Sequence, residues 1–478
     1  MDIISIITDL VATIFQAAGD FMETPERLDL LEENLQEASR KSCAEILAEI
    51  LTDYDRFLSE LPKRKKRYKI ERHDSRTLIT TFGDVRFTHT YYRDEAEKRY
   101  VYLLDEKMHL NKDEHFSELA EAELLDEAAK SSYQRAADAF AKDDQTVTKV
   151  TVMNKVHGIL ENYPDPTPDK KRSVKYLYIE ADEDHIHRQK AGTTIAGDCI
   201  IGKLIYLHEG VREECTGRNA LIRPQYFGGR YAGSEENGKL WEEVAAYIRA
   251  HYDMKTLRRI YISGDGGAWI RKGTDVVPKS IFVADRFHLM KYINAASRQM
   301  LDDCNEVKGC FYKYIYKNKP RKIRKLIRRM LHSASNPRPV EQCGTFLEKN
   351  WDAIQAAFHD RHVIGCSAEG HVSHIYSDRM SSRPMGWSET GADRMCRLRC
   401  LINNEDRKII DIVRYRREKT YQELRGTGTD DISADVKTVK RTYTKAQLEA
   451  AAYAERIHAS FAGDLHRKQI AIKLNINI

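Results

Sequence analysis

One pattern constrains this chain more than any other. Between residues 175 and 290 an apolar, β-rich run leads straight to an acid three times: in KYLYIEADEDHIH, in RRIYISGDGG and in SIFVADRFHLMKYINAA. Each run reads as a strand, and the last continues into a helix. AGDCIIGKLIYLHEG is a hairpin-type neighbour of the first strand, and RNALIRPQYFGG is a third strand. GKLWEEVAAYIRAHYD is an amphipathic helix. Three strands, a helix, a strand, then another strand and helix make a mixed α/β sheet. Carboxylates at the C-terminal ends of strands in such a sheet stand where ligands usually meet the fold.

Each acid also has a plain structural reading. Asp182 and Asp184 share one face of an extended chain with Glu180. An acid cluster at a strand end must be solvated or paired, and a solvent-exposed strand end satisfies that too. Asp265 is flanked by Gly264, Gly266 and Gly267. Glycines there permit a sharp turn and the close approach of a bulky substrate. The run lacks the spacing and the Lys-Ser/Thr of a phosphate-binding loop. Asp285 and His288 lie in a D-x-x-H spacing near a first helical turn, where the histidine is placed to touch a phosphate or orient a carboxylate. Glu369, in GCSAEGHVSHIYSDRM, follows Ser367 as a candidate helix cap and precedes His374 by about one turn. A surface glutamate at a helix start is common.

Taken together, the acids fit two-metal phosphoryl transfer on nucleic acid. That chemistry takes several carboxylates from separate elements, holding two ions roughly 3.5–4 Å apart. Oxygen ligands suit Mg²⁺ or Mn²⁺. Such an enzyme also needs cations along the DNA. Nine Lys/Arg fall within residues 313–329, interleaved with Tyr314 and Tyr316. Lys313, Lys317, Arg321, Lys322, Arg324, Lys325, Arg328 and Arg329 are therefore expected to contact DNA phosphates. The arginine-rich segment 394–418 is expected to do the same.

Residues 1–61 read as helical, followed by a basic run from Lys63 to Lys69. RTLITTFGDVRFTHTYYRD alternates around Gly83-Asp84 and predicts a hairpin turning there. Three short helices between residues 115 and 160 fit a helix-turn-helix reader, with Lys149 and Lys155 as DNA contacts, and fit a small packing bundle equally well. Pro164, Pro166 and Pro168 mark a linker.

Bulk composition adds little. A net charge of +5 over 478 residues does not by itself argue for nucleic acid. No apolar run approaches the roughly 20 residues of a membrane span, and the N-terminus reads as an amphipathic helix without a basic signal-peptide start. The nine scattered cysteines fit reduced thiols in a cytoplasm. Cys396 and Cys400 are spaced as a buried helix pair more than as metal ligands.

The order YLYIEADEDHIH, YISGDGGAWI, VADRFHLMKYI and, after a helical insertion, CSAEGHVSHIYSDRMSSRPMGWS resembles the ISLre-type bacterial insertion-sequence transposases, which are related more distantly to the Mutator-type enzymes. The resemblance implies a ribonuclease H-like mixed-sheet core carrying an Asp-Asp-Glu triad, with Asp182, Asp265 and Glu369 as catalytic metal ligands and Asp285 and His288 as accessory residues. The gaps of 83 and 104 residues leave room for several helices between the second and third acids. Asp184 competes with Asp182 for the first place, and Glu389 with Glu369 for the last. The expected organisation is an N-terminal helical region (1–70), a β-hairpin region (71–112), a helix-turn-helix-like region (113–165), the core in two parts (170–288 and 363–425), a helical insertion (289–362) and a tail (426–478). The expected partners are double-stranded DNA, as element ends and target, and further copies of this chain. The expected setting is the bacterial cytoplasm, with no membrane. The expected reaction frees a 3′-hydroxyl by metal-dependent strand cleavage, and that hydroxyl then attacks target DNA in the same site. A junction-resolving nuclease and a non-catalytic DNA-binding regulator are the competing classes.

Overall fold

The computed structural model describes residues 3–140, 147–159, 168–190, 193–213, 219–382, 385–405 and 408–425. Pro164, Pro166 and the 426–478 segment lie outside these residues. The chain forms two compact units: residues 1–124, 136–148 and 413–478 in one, residues 125–135 and 149–412 in the other.

In the first unit the helices Ile3–Glu23, Leu28–Glu60 and Pro62–Arg67 precede a three-stranded antiparallel sheet of β1 (Tyr68–Thr80), β2 (Gly83–Asp94) and β3 (Tyr100–Tyr102). The hairpin forms, but its turn is Thr81-Phe82, with Thr80 paired to Gly83. Gly83 opens β2 at φ 99°, which a Cβ would strain, so the glycine is needed beside the turn and not in its centre. Leu58, Tyr68, Leu78, Val85, Phe87 and Tyr92 close the core beneath it. Arg67, from the basic run, is tied to Asp94 at 2.6 Å and to Glu97 at 2.7 Å. Ile3–Glu23 corrects the expectation about apolar runs. By length and composition this 21-residue helix is apolar enough to cross a membrane, and little of it is buried. Asp9 and Asp20 interrupt the run in sequence, yet a whole-helix average absorbs two charges.

The second unit holds β4 (Tyr176–Lys190), β5 (Thr193–His208), β6 (Val211–Glu213), β7 (Asn219–Leu221), β8 (Gln225–Gly229), β9 (Arg259–Gly264) and β10 (Ser280–Ala284). Five of them build a mixed sheet in the order β10-β9-β4-β5-β8. β4 is antiparallel to β5 and parallel to β9, and β9 is parallel to β10. Strand parity divides the two faces. Leu177, Ile179 and Ala181 of β4 and Ile260 and Ile262 of β9 pack on Leu240, Trp241, Val244 and Ile248 of the helix Gly233–His251. Tyr176, Tyr178 and Tyr261 point the other way, toward Ala356, Ala357 and Phe358. The apolar face of β4 and β9 is thus committed to a core, and their even-numbered and odd-numbered residues, respectively, are left for the opposite face.

The helix Arg286–Ser297 leaves β10 and joins Cys304–Tyr316, Pro320–Ser333, Pro337–Lys349 and Trp351–His359 around a separate core. Leu289, Ile293, Phe311, Ile315, Ile323, Met330, Val340 and Leu347 fill it.

Candidate active site

β4 runs on past the expected strand end to Lys190, so Asp182 lies midway along it, and register sets it level with the ends of β9 and β10. Glu180 pairs with Ser263 and Ala284 with Gly264. Asp182, on the face of Glu180, and Asp265, on the face of Ser263, therefore stand on the same side at neighbouring strands about 5 Å apart. Asp285 follows β10 at the same end, its N–H donating to the Gly264 carbonyl at 3.1 Å.

Asp182 accepts a hydrogen bond from the Glu183 N–H at 2.9 Å. Burial pushes its carboxyl up to about 6, and the charges of Asp265 and Glu369 add to that, against the Glu183 bond and the charge of His288. The fold thus places Asp182 within electrostatic reach of Asp265, Glu369 and His288. Asp265 is exposed on the turn, where its Oδ1 accepts the Gly267 N–H at 2.7 Å. Gly266 has φ 90°, and a Cβ there would lie 2.7 Å from Asn350 Oδ1. Asn350 is itself buried, and accepts a hydrogen bond from Arg271.

Asp285 is the N-cap of its helix and accepts from the Phe287 N–H at 2.9 Å. Its second oxygen lies 2.9 Å from His288 Nδ1. That hydrogen bond, with the charges of Asp285, Asp182 and Asp265, raises the histidine above its ordinary value despite burial. The D-x-x-H spacing therefore yields an imidazole oriented by Asp285 and biased toward its protonated form near the acids.

Glu369 is exposed in the first turn of Ala368–Val372. This helix continues through a π-turn, Ser373–Ser377, into Asp378–Met380. Ser367 is the N-cap, but its side chain does not cap. Instead its N–H donates to Glu180 Oε2 at 2.5 Å, and its hydroxyl lies 3.2 Å from the same oxygen. Glu180 is 2% exposed. It also accepts from the Tyr206 hydroxyl, and its Oε1 lies 3.1 Å from His208 Nε2. Burial pushes this carboxyl up, yet the bonds from His208 and Tyr206 outweigh it and leave it below its ordinary value. Glu180 therefore fastens the strand of Asp182 to the residue two places before Glu369. Sequence reading placed Glu180 on the right face but missed this clamp, whose partners lie 26 to 187 residues away.

The competing acids are held elsewhere. Asp184 accepts from the Ser381 hydroxyl at 2.8 Å. Glu389 pairs with Arg188, and with Arg230 at 2.8 Å.

Three hard carboxylate donors, one of them made costly to ionise chiefly by burial, fit a divalent cation in chemistry. Among the described residues, no three acidic, histidine or cysteine side chains converge closely enough to hold an ion as they stand. Cys396 and Cys400 are buried, and burial lifts the Cys400 thiol to about 12, so neither offers a thiolate.

The basic residues divide into two kinds. Lys313, Lys317, Arg321, Lys322, Arg324, Lys325, Arg328 and Arg329 are all exposed, and among the described residues none has a carboxylate partner. Ile323 and Met330 anchor the opposite side of Pro320–Ser333, so helical spacing turns the cations outward. Lys149 is exposed and Lys155 half-buried on Lys149–His157, which buries Val152 and Val156. The arginines of 394–418 differ from expectation. Arg399 is 5% exposed and donates to the carbonyls of Ile375, His374 and Ala129. Arg397 pairs with Asp393, Arg414 with Glu118, and Arg417 with Glu121. Their density in sequence reflects internal pairing, since a buried guanidinium must spend its donors on protein acceptors.

Among solved structures, one titled Drosophila P element transposase strand transfer complex matches with a TM-score of 0.23 at 10% identity, over 68% of this chain and 90% of that one. So low a score carries no argument. A UPF0236 protein of Caldanaerobacter subterraneus subsp. tengcongensis is 32% identical over 401 residues, 83% of this chain and 82% of its own length. A second from that organism, whose name joins eleven locus designations, is 32% identical over 80% of each chain. A UPF0236 protein of Streptococcus gallolyticus, named for the vanSb 3′ region, is 24% identical over 80% of this chain and 84% of its own. With residues 24–414 matched by the family's model, the chain belongs to the family described as Uncharacterised protein family (UPF0236).

Proposed function

We propose that this chain is a DNA transposase of the insertion-sequence kind it resembles, acting in the bacterial cytoplasm on double-stranded element ends and target DNA as a homo-oligomer. Its core is read as ribonuclease H-like: three antiparallel strands, then two parallel ones added at the side of the first, support that reading. The observation that carries the proposal is the register that sets Asp182 beside Asp265 on adjacent strands, with Glu369 and His288, on two helices, within electrostatic reach. Four separate elements supply these groups, as phosphoryl transfer on nucleic acid requires.

Asp182, Asp265 and Glu369 would hold magnesium or manganese, one ion or two, which when bound supplies the positive charge that phosphodiester cleavage and strand transfer need. The protein's own part is positional. Glu180 holds the Glu369 segment to β4. The glycines around Asp265 keep side chains out of the path of a strand. Asp285 orients His288, whose imidazole would meet a phosphate. The outward cations from Lys313 to Arg329, with Lys149 and Lys155, would grip the backbone. The eleven loci named for one relative have the multiplicity expected of a sequence that copies itself.

The test uses purified full-length protein, Mg²⁺ and DNA spanning the ends of its own element. Release of a 3′-hydroxyl by the wild type and its loss in Asp265→Asn, with DNA binding retained, is the expected result. Full cleavage by Asp265→Asn refutes the assignment.

A further inference from the structure

A cleft of about 640 Å³ opens beside Asp265, and its far wall is the helix Pro337–Lys349. Arg338, Gln342, Thr345 and Lys349 fall at i, i+4, i+7 and i+11, which is one helical face. All four line the cleft and all are exposed. Among the described residues their side chains have no hydrogen-bond or ion-pair partner. The opposite side of the same helix is spent on Val340, Cys343 and Leu347. At the base of the cleft the half-buried Tyr292 stacks on Phe346, which is 8% exposed and belongs to the core, with centroids 4.4 Å apart and planes 21° from parallel. Two acids, Asp265 and Glu341, also line it.

Two unpaired cations, the Gln342 amide, the Thr345 hydroxyl and the Tyr292 ring form a combination that can bind a separated nucleic-acid strand: charge for the backbone, a ring for a base. The volume lies within the roughly 300–1,000 Å³ of small-ligand pockets. That suits a short single-stranded stretch and not a duplex, whose major groove alone is about 12 Å wide. Asp265 and Gly267 form the near wall, so a strand seated here would run past the acid.

Resting on the reading above, we infer that this cleft is a subsite for single-stranded DNA, which seats the unpaired strand beside the cut on Arg338, Lys349 and the ring of Tyr292, backed by Phe346. The lining helix belongs to the insertion, which gives that insertion a role beyond gripping duplex.

Binding of fluorescein-labelled oligo(dT) and of a random-sequence duplex to the full-length protein tests this. Arg338→Ala/Lys349→Ala is expected to weaken oligo(dT) binding about tenfold, and to lower the slope of log affinity against log salt by about 1.4, since each single-strand phosphate contact contributes about 0.7. Duplex affinity is expected to change less than twofold. Lys322→Ala/Lys325→Ala serves as the comparator and should weaken both. Circular dichroism confirms folding, and a photo-crosslinker in place of Gln342 reads the same contact without removing a charge. Unchanged oligo(dT) affinity, equal losses on both probes, or no crosslink from position 342 overturns the inference. If oligo(dT) binds as expected but no strand is cut with Mg²⁺, the subsite stands and the transposase reading fails. If neither probe binds the wild type, both fall.

Discussion

Asp182→Asn should make the metal-free protein more stable. Burial, with the charges of Asp265 and Glu369, pushes the native carboxyl up to about 6 from an ordinary 3.8, against the Glu183 N–H and His288. A raised acid costs stability only once it ionises. Well below pH 3.8 the carboxyl is protonated in both folded and unfolded chains, and there is no penalty. Between pH 4 and 6 the unfolded chain ionises first, and the folded state loses ground. Above pH 6 the loss is complete. The lift corresponds to at most about 3 kcal/mol. Solvent reaches this half-buried side chain, so about 1–2 kcal/mol is the measurable share. Melting in EDTA should give wild type and Asp182→Asn similar midpoints at pH 4. At pH 8 the variant should melt about 2–6 °C higher. Millimolar Mn²⁺ should then raise the wild type and leave the variant unmoved. A variant no more stable than wild type at pH 8 would refute the strain assigned to this carboxyl.

Three further outcomes follow from the same geometry. Glu180→Gln cannot accept from Tyr206, His208 and Ser367 together, so it should lose about 2–3 kcal/mol in urea unfolding, and a loss under 0.5 kcal/mol would show that the clamp is not under load. Asp285→Asn removes the largest cause of the raised His288 pKa, so the imidazole should titrate lower by NMR, with an unchanged midpoint as the contrary result. Gly266→Ala adds a Cβ at φ 90° and 2.7 Å from Asn350 Oδ1, so it should cost more than about 1 kcal/mol and reduce strand cleavage; wild-type melting would contradict it.

Much of this was legible in the sequence, for identifiable reasons. The sheet strands declared themselves because an apolar run ending at a glycine or an acid is a local signal, and β9 and β10 end at Gly264 and Ala284. Strand parity, readable from residues alone, already put Asp182 with Glu180. What stayed hidden was non-local. The bond between Glu180 and Ser367 joins residues 187 apart. Arg414 and Arg417 looked like DNA contacts because sequence shows charge but not the Glu118 and Glu121 carboxylates, 296 residues away, that absorb it. The same limit applied to Asp184 and Glu389, whose partners Ser381 and Arg230 are distant in the chain. The hairpin turn moved from Gly83-Asp84 to Thr81-Phe82 because a glycine marks the positive φ and not the centre of the loop.

The central claim is that Asp182, Asp265 and Glu369 act as one set. Its most direct test is the rate of 3′-hydroxyl release from element-end DNA in Mg²⁺ for Asp182→Asn, Asp265→Asn and Glu369→Gln, beside Asp184→Asn and Glu389→Gln. Each of the first three should fall by about a hundredfold or more, as losing about 3 kcal/mol of transition-state stabilisation requires. The last two should stay within a few-fold of wild type. Wild-type rates in any of the first three, or equal losses in Asp184→Asn or Glu389→Gln, would contradict the assignment.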